Sequence, residues 1–295
     1  MIRSLKRLGN ATLRRMPLVW SRAIRIRHYT GRWPQVSNPV GLNDKINWRI
    51  LYDRREIWHW TCDKLLSKEY AVRRSPGILL PDVLWVGTDL RELAELGLEG
   101  RWILKANRSS NDVIVGSGAP NIAALAAEVA TWNDFQWRDL GEFAYGYAAP
   151  VLLLERWLGD TDEPPMDYKI HVYDGVARFV QIHRNRFAGH RASMFTRDWV
   201  RIESSQSHAI PDEITLPRPA RLDEMLGRAE QIAEGFDYIR VDFFETPEGV
   251  WFGETTPYSW SGTRPFSPES VERELGRYWT LPDLSGSQEQ GEPVG

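Results

Sequence analysis

Two acidic residues on opposite arms of one expected hairpin carry the first chemical signal. Asp242 lies in "RVDFF" and Glu254 follows "VWFG", with a turn at Thr246-Pro247-Glu248-Gly249 between them. Alternation along the first arm puts Arg240, Asp242 and Phe244 on one face. Glu254, across the turn, comes back beside Asp242. Adjacent carboxylates repel unless a cation lies between them. Mg2+ prefers carboxylate oxygens together with nucleotide phosphates. Two readings stand: a metal-binding pair, or two rim carboxylates salt-bridged to Arg240 or Arg264.

Lys105 stands in the apolar "WILKAN" and is followed by a polar loop, Asn107 to Asp112. A strand lysine with a flexible polar loop beside it suits a phosphate clamp with a lid. An edge-strand lysine reaching for water has the same local sequence. In "LLLERWL", residues 152–158, a long apolar strand meets charge at Glu155. Such a strand end can hold adenine by its backbone and its carboxylate, or can simply be solvated. Lys169, Arg184, Arg186, His190 and Arg191 group in and after an earlier hairpin. Together they suit phosphate or an acyl-phosphate; separately they are surface charge.

The elements that must position these groups are legible. Residues 42–73, dense in charge and aromatics, read as helical, with Asn43 as a candidate cap and Ser75-Pro76-Gly77 as the break. "ILLPDVLWVG" reads as strand, turn, strand, and "TDLRELAELGLEG" as a short amphipathic helix ended by glycine. Residues 101–118 read as strand, loop, strand, and 121–134 as a helix. Asp174-Gly175 marks a hairpin within 166–187. A helix over 220–236 precedes the hairpin of 238–257. Two lobes follow, with a seam near Glu155.

Composition narrows the classes. The chain has 295 residues, 42% apolar and 26% charged, and 14 tryptophans that imply broad aromatic packing and suit a planar ligand. A net charge of -3 argues against nucleic acid as the main partner. One cysteine, Cys62, excludes an intrachain disulfide and a thiolate metal cluster, and fits a cytosolic location. There is no Walker A, G-x-S-x-G or H-E-x-x-H motif. No apolar run is long enough for a membrane span, and no long uncharged core marks a cleaved signal peptide. No Asp or Glu precedes Asp44, whereas Arg3, Lys6, Arg7, Arg14, Arg15, Arg22, Arg25, Arg27 and Arg32 do, interleaved with Leu13, Leu18, Trp20 and Ile24. That segment reads as a basic amphipathic stretch touching an anionic membrane, or as a helix packed on the body.

The ordered set "LNDKINWRILYDR", "CDK", "WILKAN", "LLERWL", "DYKIHVYDGVARFVQIHRNRF", "RVDFF" and "FGETTPYSWSG" resembles the ATP-grasp superfamily, and within it the TupA-like branch linked to teichuronopeptide biosynthesis. The resemblance covers roughly residues 38–282. It implies an α/β (α+β) ATP-grasp fold, two lobes with antiparallel sheets sandwiching ATP. The expected segments are a basic N-terminal stretch (1–37), a helical region (38–76), a small lobe (77–154), a large lobe with the metal site (155–282) and a disordered tail (283–295). It implies Lys64 and Lys105 on ATP phosphates and Glu155 at the adenine site, with Ser109, Ser110, Leu158 and Asp167 also binding the nucleotide. It implies Mg2+ on Asp242 and Glu254, with Thr256 where an asparagine is usual. Lys169, Arg186 and Arg191 fall at the acyl-phosphate end. The implied activity is an ATP-dependent carboxylate–amine ligase of cell-surface glycan or peptide-polymer assembly. The substrates would be a small carboxylate and an amine, with possible contact between residues 1–30 and an anionic membrane. A small-molecule kinase and a non-catalytic nucleotide-binding partner of a glycosyltransferase are the alternatives. The loop "NRSSND" departs from the superfamily habit: Asn111 stands where glycine is expected and Arg108 where histidine is.

Overall fold

A computed structural model describes residues 12–110, 112–132, 136–159, 165–184, 191–203 and 216–284, with the backbone alone at Gln136, Arg184 and Arg191. Arg186 and the expected tail from 285 onward lie outside the described residues.

After a helical turn at 12–14, the described residues form helices α1 (Leu18–Thr30), α2 (Leu42–Tyr52) and α3 (Lys64–Arg74). The stretch expected to be helical over 42–73 is thus divided. Asp53 ends α2 in an extended conformation. Its fully buried carboxylate accepts from the Arg55 backbone at 3.2 Å and from the Arg55 side chain at 2.9 and 2.6 Å. Asp63 starts α3 by accepting from the N–H groups of Leu65 and Leu66, which an N-terminal turn leaves without helical partners.

Strands β1 (Val83–Gly87), β2 (Arg101–Ala106), β3 (Val113–Ser117) and β4 (Leu152–Arg156) form one antiparallel sheet in the order β1-β4-β2-β3. Only a bridge from Leu79 to Trp251 represents the first strand expected in 78–87. The helix expected over 88–100 is a 3-10 turn, Leu90–Glu95, begun by Asp89. Helix α4 (Ile122–Val129) covers the outer face, where Leu125 joins Trp85, Leu93, Trp102, Leu104 and Leu154 in a small core. A short α5 (Gln136–Leu140) leads back towards β4.

The second sheet contains β5 (Asp167–Tyr173), β6 (Val176–Arg184), β7 (Arg191–Thr196), β8 (Tyr238–Thr246) and β9 (Gly249–Thr256) in the order β7-β6-β5-β8-β9. Both expected hairpins are present. Asp174 and Gly175 turn the first with φ of 46° and 74°, the left-handed backbone that Asp and Gly adopt most readily. Helix α6 (Leu222–Ile232) packs its Leu222, Met225, Leu226, Ala229 and Ile232 into the large core shared with the inward side chains of β5 and β8. Helix α7 (Glu269–Arg277) closes against α2. Much of the aromatic content serves packing: the Arg49 guanidinium lies 4.0 Å from the Trp58 ring and 4.1 Å from the Trp279 ring.

Candidate functional site

The inner faces of the two sheets border one cleft. Lys64, Lys105 and Glu155 line it from one side, and Lys169, Asp242 and Glu254 from the other.

On the small-lobe side, β2 is an interior strand, so Lys105 is not an edge lysine. Its Nζ lies 2.5 Å from Glu155 Oε2 on the neighbouring strand β4. The other oxygen of Glu155 is 2.5 Å from Lys68 Nζ. Burial alone would raise the Glu155 carboxyl; Lys105 and Lys68 outweigh it and hold the group down at about 2. Desolvation in turn lowers Lys68, against the opposing pull of Glu155. Lys64 Nζ donates to the backbone carbonyls of Asn107, at 3.3 Å, and Ser109. Asn107 is fully buried and ties this corner together. Its Oδ1 accepts from the Lys64 N–H at 2.9 Å, and its Nδ2 donates to Asp63 at 2.8 Å. Ser109, Ser110 and Leu158 line the cleft beside these groups.

On the large-lobe side, Asp242 and Glu254 are direct cross-strand partners. A register shift produces this. Asp242 pairs with Glu254 but Phe243 pairs with Phe252, which leaves Gly253 as the extra residue of a bulge. Under strict alternation through Gly253, Glu254 would share the core face of Val250 and Phe252. With the bulge, Thr255 continues the core side at 4% exposure and Glu254 turns to the cleft. A Cβ on Gly253 would come 3.1 Å from the Asp242 carbonyl, so the close approach favours glycine.

Asp242 is held by two cations. Arg240 donates to its two oxygens at 2.7 and 2.8 Å, and Lys169 donates at 2.5 Å. Burial works against the charged carboxylate, but Arg240 and Lys169 hold it well below the usual range. Arg240, one of the two salt-bridge partners considered from the sequence, is therefore the one that binds Asp242; Arg264 lies over Trp260 instead, 4.1 Å from the ring. Lys169 also reaches Asp167 at 2.8 Å. The Thr256 hydroxyl accepts from Arg240 at 3.0 Å. The Glu254 side chain keeps 28% exposure, and among the described residues its ion-pair partner, Arg240, is 3.9 Å away. Arg191 begins β7, with its side chain outside the described residues.

Sequence reasoning missed Lys68 and His183. Lys68 follows Lys64 by one helical turn, a spacing that places both on one face of α3. His183 lines the cleft opposite Asp167 in the β5–β6 register and stacks on Trp260 with ring centres 5.3 Å apart.

Two antiparallel sheets facing each other across a charged cleft define a two-lobed α+β protein with its site between the lobes. The chain belongs to the TupA-like ATP-grasp family, whose model matches residues 44–280. Among solved structures it is similar to the D-alanine–D-alanine ligase from Helicobacter pylori, at 16% identity and TM-score 0.44, over 81% of this chain and 69% of that one. The D-alanine–D-alanine ligase from Bacillus anthracis is 17% identical at TM-score 0.39, over 67% of this chain and 57% of that one. The ATP-grasp ligase PsnB with its minimal precursor is 16% identical at TM-score 0.37, over 68% and 54%. The chain thus spans little more than half the length of the latter two. No curated protein matches it.

Proposed function

We propose that the protein is an ATP-dependent carboxylate–amine ligase. The observation that carries this reading is the opposed charge of the two cleft walls. Among the described residues, Lys64, Lys68, Lys105 and Arg156 outnumber Asp112 and Glu155 on one side, while Asp167, Asp242 and Glu254 outnumber Lys169 and Arg240 on the other. Lysines on the first wall, with Ser109 and Ser110, suit nucleotide phosphates. Glu155 and Leu158, at the strand end between the lobes, suit the base. Asp167 faces the same cleft through Lys169.

The residues present fit Mg2+. Glu254 keeps a solvent-accessible carboxylate next to Asp242, and the Thr256 hydroxyl follows on the same strand face. Among the described residues no group of three or more His, Cys, Asp or Glu side chains is placed to hold a metal alone. Substrate phosphates would complete the shell, as is usual for this ion. When bound, Mg2+ would neutralise charge on those phosphates.

In the proposed reaction a substrate carboxylate oxygen attacks the γ-phosphorus of ATP, and the bond to the bridging oxygen breaks to release ADP. The amine nitrogen then attacks the acyl carbon, loses a proton and expels phosphate, leaving an amide. Lys169, already placed between two carboxylates, would offset charge on the transferring group; Arg186 and Arg191 are assigned to the same end. Positioning and charge neutralisation supply most of the rate enhancement in such transfers. Family membership supports a glycan- or peptide-linked carboxylate, such as a uronic or amino acid, handled on the cytoplasmic side where ATP is supplied.

The test is release of ADP and phosphate across panels of carboxylates and amines. A ligase needs both substrates and moves one carboxylate oxygen, traced with 18O, into the released phosphate. Phosphate retained on a stable product would show a kinase instead.

A further inference from the structure

Helix α1 is turned the unusual way round. Its inward side carries Ser21, Arg22 and Ile26, which are 4%, 1% and 2% exposed. Arg22 donates to Asn47 Oδ1 at 2.9 and 2.5 Å, to the Ser261 carbonyl at 2.6 Å, and to the Leu140 carbonyl. On the outward side of α1, Val19, Trp20 and Ile24 are 42%, 63% and 37% exposed, and Met16, just ahead of the helix, is 39% exposed. Burying an arginine while four apolar side chains face water reverses the ordinary choice. A contiguous apolar patch of this kind marks a surface meant to be covered. Trp33 borders the same patch beside Val19 and Trp20, at 60% exposure.

The charge around the patch selects the cover. Arg15, Arg27 and His28 are exposed on and beside α1, and the sequence ahead of it adds Arg3, Lys6 and Arg7 with no acidic residue before Asp44. A second copy of the chain related by a two-fold axis would set this basic rim against itself. An anionic bilayer offers both complements at once: phosphates for the arginines and an acyl boundary for the apolar side chains. Tryptophan is enriched at that depth because its ring is amphipathic.

We propose that the outward face of α1, with Trp33, docks on an anionic lipid surface, the helix lying in the plane of the headgroups. Arg22 joins α1 to the turn at Trp260–Ser261, and Trp260 stacks on the cleft residue His183. A docked α1 is therefore one turn away from the cleft. The inference rests on this helix alone and stands whether or not the ligase reading holds.

The test pellets the full chain with sucrose-loaded vesicles, either of phosphatidylcholine alone or of phosphatidylcholine with phosphatidylglycerol. We expect binding to the anionic vesicles at least ~10-fold above the neutral ones, falling as salt rises. Trp20→Glu with Ile24→Glu should reduce it about tenfold by removing the inserting groups. Arg15→Gln with Arg27→Gln should weaken it and flatten its salt dependence. All four side chains are exposed, so the melting temperature should hold; the arginine pair keeps the test decisive should the glutamates lower it. Absence of pelleting, equal binding to neutral vesicles, or wild-type binding by both double variants would overturn the proposal. So would light scattering that finds a dimer dissolved by the glutamate pair, which would assign the face to a second copy.

Discussion

The two walls of the cleft use one device in surroundings of opposite charge. On the small-lobe wall a single carboxylate, Glu155, is gripped by two lysines, each at 2.5 Å. On the large-lobe wall a single carboxylate, Asp242, is gripped by Arg240 and Lys169 at 2.5 to 2.8 Å. Both carboxylates are depressed for the same reason: their cations outweigh the penalty of burial. The walls differ in what surrounds each grip. Lys64 adds positive charge near the first, while Asp167 and Glu254 add negative charge to the second. Internal pairing keeps each wall folded, and the residual charge decides what each wall attracts. A phosphate chain would meet the first wall and a divalent cation the second.

The largest effect expected is on that residual charge. Glu254→Gln should lower Mg-ATP turnover about a thousandfold, the scale of losing one preorganised electrostatic contact. The melting temperature should barely change, because Glu254 is partly exposed and its closest ion-pair distance is 3.9 Å. ADP release and a thermal melt read the two quantities; wild-type turnover would dissolve the asymmetry between the walls. Lys68→Met addresses pairing instead. Leaving Glu155 with one cation should cost about 3 kcal/mol in urea unfolding, as for other broken buried pairs. The wild-type Glu155 contribution is fully present above its unfolded pKa near ~4.3 and fades as pH falls towards about 2. In the variant the folded-state carboxyl moves back up towards its unfolded value, so that loss should be smaller and complete at higher pH.

A third buried carboxylate sharpens the comparison. Glu142 has burial raising its pKa to about 7, with only partial relief from Arg22 and Ser261. Between its unfolded pKa near ~4.3 and about 7, the native state holds a proton that the unfolded chain has released. Stability must therefore fall as pH rises through that window. Glu142→Gln should remove this slope and stabilise the protein by about 2 kcal/mol at pH near 8, with no gain below pH ~4. Equal effects at both ends would place Glu142 with the fully paired groups. The smallest effect belongs to Thr256→Val. Loss of its hydrogen bond with Arg240 should cost about 1 kcal/mol and raise the Mg2+ needed for half-maximal turnover about threefold.

Much of this was legible in the residues. The hairpins at Asp174-Gly175 and Thr246–Gly249 follow from turn chemistry, and the pairing of Asp242 with Glu254 followed from the second of them. Periodicity also located α4 and α6. The division of residues 42–73 was hidden because Asp53 acts through Arg55 two residues on, and Asp63 through a cap and the distant Asn107, within a stretch whose density of charge and aromatics reads as helix. Lys68 was hidden for a related reason. A lysine on a charged helix reads as solvated until the strand bearing Glu155 is seen to lie against it. Of the two readings of the carboxylate pair, the salt bridge to Arg240 is present at Asp242, and Glu254 beside it faces the cleft.

The bulge at Gly253 separates β9 into two phases. Val250 and Phe252 before it answer to the core; Glu254 and Thr256 after it answer to the cleft. Substitutions in the first half are filtered by volume and those in the second by charge, although only one residue stands between them. Pairing that residue into a regular ladder, with no change in sequence, would turn Glu254 to the core and Thr255 to the cleft. For this strand, spacing carries as much of the chemistry as composition does.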